Sequence, residues 1–126
     1  LAATYIDCAL VQQVYKEHKK ALDYLLKARE YQLKYLPDTH PILAFLYNHI
    51  GAMYYRLKDY KAALQNHLQC LKIEQGSLPE DHIAFVATYR NVATTYEKMD
   101  NFSEAFKYAQ LAVKQSELHR KDDDRD

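Results

Sequence analysis

The chain has 126 residues, nearly half of them apolar, and its 17 basic side chains balance its 17 acidic ones. That length suits one domain with a core of its own, and zero formal net charge removes the long-range field that draws proteins to nucleic acid or to an anionic membrane. With only three prolines and two glycines there are few strand-linking turns, so an all-helical fold is predicted.

A helical pattern is already running at Leu1, and the absence of a starting methionine predicts a piece of a longer protein. A first turn is expected near Lys16 to His18, and a second helix then runs to "LPDTHP", Leu36 to Pro41. In that phrase Asp38 or Thr39 is expected to cap the next helix and Pro41 to sit in its first turn, where no amide donor is needed. The third helix is written in Leu43, Leu46, Tyr47, Ile50, Tyr54 and Leu57, the three- and four-residue steps of an amphipathic helix. After "RLKDY" a fourth follows through Tyr60, Ala63, Leu64, His67, Leu68 and Leu71, ending near Gly76 and Pro79. "LPEDHI", Leu78 to Ile83, repeats the earlier joint, with Asp81 as its expected cap. Two more helices are expected around a turn at Asp100 to Asn101. The final "RKDDDRD", residues 120–126, reads as a charged, solvated tail or a fraying helix end. The apolar runs "ILAFLY" and "IAFVA" are far too short to span a bilayer, and no signal peptide is visible, so a soluble cytoplasmic chain is predicted.

The two joints lie 42 residues apart, and sliding the sequence by that distance aligns it without a gap. Tyr5, Tyr47 and Tyr89 coincide, as do Cys8, Ile50 and Val92; Ala9, Gly51 and Ala93; Ala21, Ala63 and Ala105; and Ala28, Cys70 and Ala112. Three copies are therefore expected, at about 1–40, 41–82 and 83–119, each a pair of helices A and B. The small residues mark close helix crossings, Ala9, Gly51 and Ala93 on helix A against Ala21, Ala63 and Ala105 on helix B. Such pairs bury their faces only by stacking.

The order large, large, small, aromatic, alanine, small stands in the second copy as Tyr47, Ile50, Gly51, Tyr54, Ala63 and Cys70. In the third it stands as Tyr89, Val92, Ala93, Tyr96, Ala105 and Ala112. With it the chain resembles the tetratricopeptide repeat family from about Leu1 to His119. The 42-residue period and the "LP..HP" joint resemble the longer subclass found in kinesin light chains. The first copy departs at Gln12 and Cys8, and the family's frequent proline after helix B is missing. The resemblance implies an all-α, right-handed solenoid of three antiparallel helix pairs.

Chemistry is not written in the sequence. The six histidines are scattered, and no HExxH, CxxC or glycine-rich phosphate loop occurs. His40 and His82 read as joint residues bonding local backbone, His67 as a hydrogen-bonded core histidine, and Cys8 and Cys70 as unpaired thiols packed inward. Most of the repeat-framework tyrosines read as packing. No enzyme activity, metal or cofactor is expected.

The resemblance further implies that the A helices line a concave groove. Carried onto this sequence, the groove takes Phe45, Asn48, His49, Ala52, Tyr55 and Arg56 from the second copy. Ala87, Arg90, Asn91, Thr94, Glu97 and Lys98 come from the third, and Ala3, Ile6, Asp7, Leu10, Gln13 and Val14 from the first. Asn48 and Asn91 match positions that hold a bound peptide's backbone in the family. Ile6 and Leu10 replace the residues with which its chaperone-binding branch clamps a terminal carboxylate. Arg56, Arg90 and Lys98 face only Glu97, so an acidic protein segment with an apolar anchor, held by Tyr55 and Phe45, is the expected partner. A structural spacer that self-associates through its exposed end repeats is the other reading. Nucleic acid and membrane are not expected partners.

Overall fold

The computed structural model describes residues 1–123, with side chains described through Arg120. It contains α1 (Ala2–Val14), α2 (His18–Tyr35), α3 (Pro41–Arg56), α4 (Tyr60–Ser77), α5 (Ala84–Lys98) and α6 (Phe102–Asp123), and no strand among the described residues. The helices pack as α1 with α2, α3 with α4 and α5 with α6, while α3 also lies on α2 and α5 on α4. Short turns within each pair make antiparallel neighbours, and their stacking gives the expected helical-repeat solenoid. Residues 120–123 of the expected charged tail continue α6, and residues 124–126 lie outside the described part.

The turn inside each pair has one construction. Lys16, Lys58 and Asp100, equivalent positions, have φ of 60°, 65° and 60°, the left-handed conformation that closes a helix C-terminus. The next residue's amide reaches back to the helix, Glu17 N–H to Gln12 O at 2.8 Å, Asp59 to Tyr54 at 2.9 Å and Asn101 to Tyr96 at 3.0 Å. The same residues then start the following helix. Asp59 Oδ1 accepts from Ala62 N–H at 3.3 Å, and Asn101 Oδ1 from Glu104 N–H at 3.4 Å.

The joint between pairs is set by proline. Leu36 and Leu78, each before a proline, are extended at ψ 151° and 152°, because the proline ring disfavours a helical conformation in the residue before it. His40 and His82 close the following turns onto the carbonyls of Pro37 and Pro79. The expected caps Asp38, Thr39 and Asp81 are corrected here. His40 Nδ1 accepts from Ile42 N–H at 3.2 Å and His82 Nδ1 from Ala84 N–H at 3.1 Å, since the histidines stand next to the free amides and the aspartates lie within the turn. Pro41 opens α3 as expected.

Leu25, Leu43, Leu46 and Ile50 are fully buried, together with Ala9, Ala21, Ala28 and Ala63 at the crossings. Three inward readings need correction. Leu57 is exposed because it is the C-cap of α3, beyond the packed turns. Cys8 is only half-buried, since α1 packs mainly on α2 whereas its equivalent Ile50 lies between α2 and α4. Ala105 is half-buried because no further helix covers α6.

Candidate functional site

The A helices stand side by side, and two polar contacts tie them across the seam. Asn91 of α5 donates from Nδ2 to Asn48 Oδ1 of α3 at 2.9 Å. One repeat earlier, His49 of α3 meets Gln13 Nε2 of α1 through Nδ1 at 3.4 Å. His49 and Asn91 are equivalent positions, and each reaches back to the preceding A helix, though to partners at different positions, since Gln13 is the equivalent of Tyr55 and not of Asn48. The two expected backbone-holding amides are thus bonded to each other. The bond still leaves Asn48 Nδ2 as a donor and Asn91 Oδ1 as an acceptor, without partners among the described residues.

The Asn48–Asn91 bridge separates two hollows. On one side lies a cavity of about 340 Å³ lined by Phe45, Asn48, Ala87 and, deeper in, Cys70, Glu74 and Thr88. Phe45 lies on the His49 ring, centroids 4.3 Å apart, and keeps 39% of its surface exposed. On the other side a cavity of about 190 Å³ takes Ala52, Tyr55 and Arg56 from α3, His67 from α4, and Asn91, Thr94 and Thr95 from α5. Tyr55 is held edge-on against Tyr60, centroids 5.4 Å apart. Arg90, Thr94 and Glu97 line a third and larger hollow of about 920 Å³, shared with Phe102, Phe106 and Val113 of α6. Lys98 is exposed. Of the expected groove residues of α3 and α5, all but His49 and Lys98 line one or another of these three hollows.

Two buried polar groups behind the groove were not anticipated as part of it. Glu74 is buried at the α4–α5 contact and accepts the hydroxyl proton of Thr88. Burial raises its carboxyl above the usual range, with the Thr88 hydrogen bond opposing. Cys70 beside it is pushed up to about 12, first by burial and then by the Glu74 charge, so its thiol is inert and packs as expected. Glu74 sits on the inward stripe of α4 with His67, Cys70 and Leu71. A carboxylate on an apolar face was the available signal. His67 is buried as expected, but its Nδ1 has no hydrogen-bond partner, which corrects the hydrogen-bonded reading. The reason is the crossing: its ring lies flat under Gly51, where a Cβ would stand 2.9 Å from it. Burial lowers its pKa to about 4 and also lowers that of His49. Among the described residues no three His, Cys, Asp or Glu side chains gather as a metal set, and no helix is long and apolar enough to cross a membrane.

The sequence model described as the tetratricopeptide repeat matches residues 1–76 and 42–117 of the chain. No curated protein matches it. Among solved structures, BtubC (BKLC) from P. vanneervenii superposes with a TM-score of 0.86 at 20% identity, covering 94% of this chain and 48% of that one. The TPR domain of Arabidopsis FLU gives 0.81 at 19% identity, with 93% of this chain and 95% of that chain covered. TPR-like repeats assigned to a kinesin light chain of Podosopora anserina give 0.78 at 17% identity over 95% of this chain and 57% of that one. The chain thus spans about half the length of the BtubC structure it matches.

Proposed function

Because this chain belongs to the tetratricopeptide repeat family, whose stacked helix pairs serve protein–protein interaction, we propose that it receives a segment of a partner protein in the groove along α3 and α5. The observation that carries this reading is the seam itself: two hollows flank an amide bridge in which Asn48 Nδ2 can still donate and Asn91 Oδ1 can still accept, the pair an extended backbone presents. Arg56, Arg90 and Lys98 around it outweigh Glu97, so the favoured segment is acidic, and Phe45 offers it an apolar contact.

The test is a binding measurement against an array of acidic and basic peptides, followed by variants. Arg90→Glu should weaken an acidic binder by about tenfold or more through charge reversal. Lys61→Glu and Lys107→Glu, exposed on the B helices, should leave it unchanged. Loss of binding only on the B-helix changes would move the site off the groove. A second reading, self-association, is favoured by exposed apolar residues at both ends of the stack, Leu1 before α1, Val11 and Val14 on it, and Phe102, Phe106 and Val113 on α6.

A further inference from the structure

The open face of α6 and the open face of the first repeat are the two halves of one joint. In the joints already built, helix A lays a stripe into the cleft between its own helix B and the one before it. That stripe is Leu43, Leu46, Ile50 and Met53 in α3 and Phe85, Thr88, Val92 and Thr95 in α5, all buried. In the first repeat it is Leu1, Thr4, Cys8 and Val11, exposed except for half-buried Cys8. The receiving side is open in the same register. Leu22 and Leu25 of α2 and His67, Leu71 and Glu74 of α4 are buried in the stack, whereas their counterparts Phe106, Ala109, Val113 and Ser116 of α6 are exposed and line the hollow of about 920 Å³.

An apolar hollow alone admits many helices, and charge is what selects among them. Asn91 reaches back to Asn48, 43 positions earlier, across the seam between A helices. Carried one repeat further, that contact sets residue 7 of an incoming first repeat on Arg90. Residue 7 is Asp7, the same shape as asparagine but charged, and both it and Arg90 are exposed. The Gln13–His49 contact would direct the incoming residue to Glu97 instead, but it is made between two longer side chains, and Asp7 has the reach of Asn91. Deeper in the joint, Thr88 donates to Glu74. The same two places are held by Thr4 and Ser116, again a pair that can hydrogen-bond.

We propose that the hollow over α6 receives α1 of a second copy of this chain in the register of the internal joints, with Asp7 of the newcomer paired to Arg90. This rests on the self-association reading above and names its contact. The groove then crosses from copy to copy, because Asp7, Leu10 and Val14 of the newcomer follow on from Asn91, Thr94 and Lys98 of the third repeat.

Sedimentation velocity of the whole chain over a dilution series tests this with charge-exchanged variants. Since both residues are exposed, Asp7→Arg and Arg90→Asp keep the fold, checked by an unchanged circular dichroism spectrum. Each single reversal sets like charges against each other and should raise the concentration at which mean mass doubles by about fivefold or more. The double exchange restores the pair with its ends swapped and should return that concentration to within about twofold of wild type. Association that no variant alters, or a double exchange no better than the single reversals, overturns the Asp7–Arg90 register and leaves self-association standing. A mass that stops at two copies overturns the head-to-tail contact in favour of a twofold dimer. A wild-type chain that stays single at every concentration overturns both the contact and the self-association reading, and the hollow then belongs to a helix of another kind.

Discussion

At the scale of single residues, the Gly51–His67 contact is the point where packing and charge meet. Gly51→Ala places a methyl group 2.9 Å from the imidazole, an overpacking of about 1–3 kcal/mol, against a gain of about 1 kcal/mol in helix propensity. A net loss of about 1 kcal/mol in urea unfolding is expected. In the first repeat the same crossing is filled by Ala9 and Leu25, both fully buried, so Gly51→Ala should turn stabilising when His67→Leu accompanies it. Additive effects of the two changes would remove the contact from the account. The same histidine makes stability depend on pH. Its folded pKa, about 4, lies below the unfolded value near 6.5, so between those values the unfolded chain binds the extra proton. Stability is present in full above about pH 6.5 and is lost as pH falls toward 4, by up to about 3 kcal/mol. Glu74, raised by burial, works in the opposite direction, losing stability as pH rises through its raised pKa. The comparison that isolates His67 is therefore the difference between wild type and His67→Leu at pH 7 and pH 5. A difference that does not change between the two would mean that the ring is solvated.

At the scale of helices and turns, the repeated element is a helix hairpin with a left-handed residue at its bend. Lysine or aspartate occupies that bend in all three copies, and an L side chain there costs about 1–2 kcal/mol relative to glycine's freedom. Lys58→Gly should accordingly be neutral or stabilising by up to about 1 kcal/mol, while Lys72→Gly, exposed in the middle of α4, should cost about 1 kcal/mol. If both variants unfold at the same lower midpoint, the bend is not strained. The crossing inside the hairpin has the reverse preference for size. Ala63 is completely buried, so Ala63→Leu should lose about 1–3 kcal/mol, whereas Lys61→Leu on the exposed side should change little; equal midpoints would show that the crossing is loose. These elements also mark the border of what sequence can say. The 42-residue register located the six helices and their turns, because apolar periodicity and proline placement are local properties. It did not place the left-handed bends, for which no glycine stands as a signal, nor the caps, where histidine and aspartate neighbours compete for one amide. That Phe45, Asn48, Ala52 and Tyr55 share one face of α3 follows from helix period, but the Asn48–Asn91 bond and the hollow over His67 depend on how two A helices meet, and helix period carries no information about that.

At the scale of the whole molecule, the stack has two different ends. Leu43 and Met53 are buried between neighbouring helices, while their equivalents in the first repeat, Leu1 and Val11, are 69% and 53% exposed. At the other end Phe106 is 66% exposed where its equivalent in α2, Leu22, is 7% exposed. The hollow over α6 is lined by Ala93, Ala105, Ala109 and Ala112, small residues of the kind that elsewhere in the stack let the next A helix approach closely. A second copy of the chain offers that helix as α1. Because the two surfaces differ, their contact is head to tail and does not close as a twofold dimer would. The isolated chain should therefore grow in mean mass with concentration, without a plateau at two copies. Phe106→Asp removes about 1.5–3 kcal/mol of apolar burial from such a contact and adds a charge to it, so it should shift the association to at least about tenfold higher concentration, with the helical spectrum and groove binding intact. Light scattering across a dilution series reads this directly: a mass that stays at one chain up to high concentration, or a Phe106→Asp variant that associates like wild type, removes the end-face contact and leaves the groove unaffected.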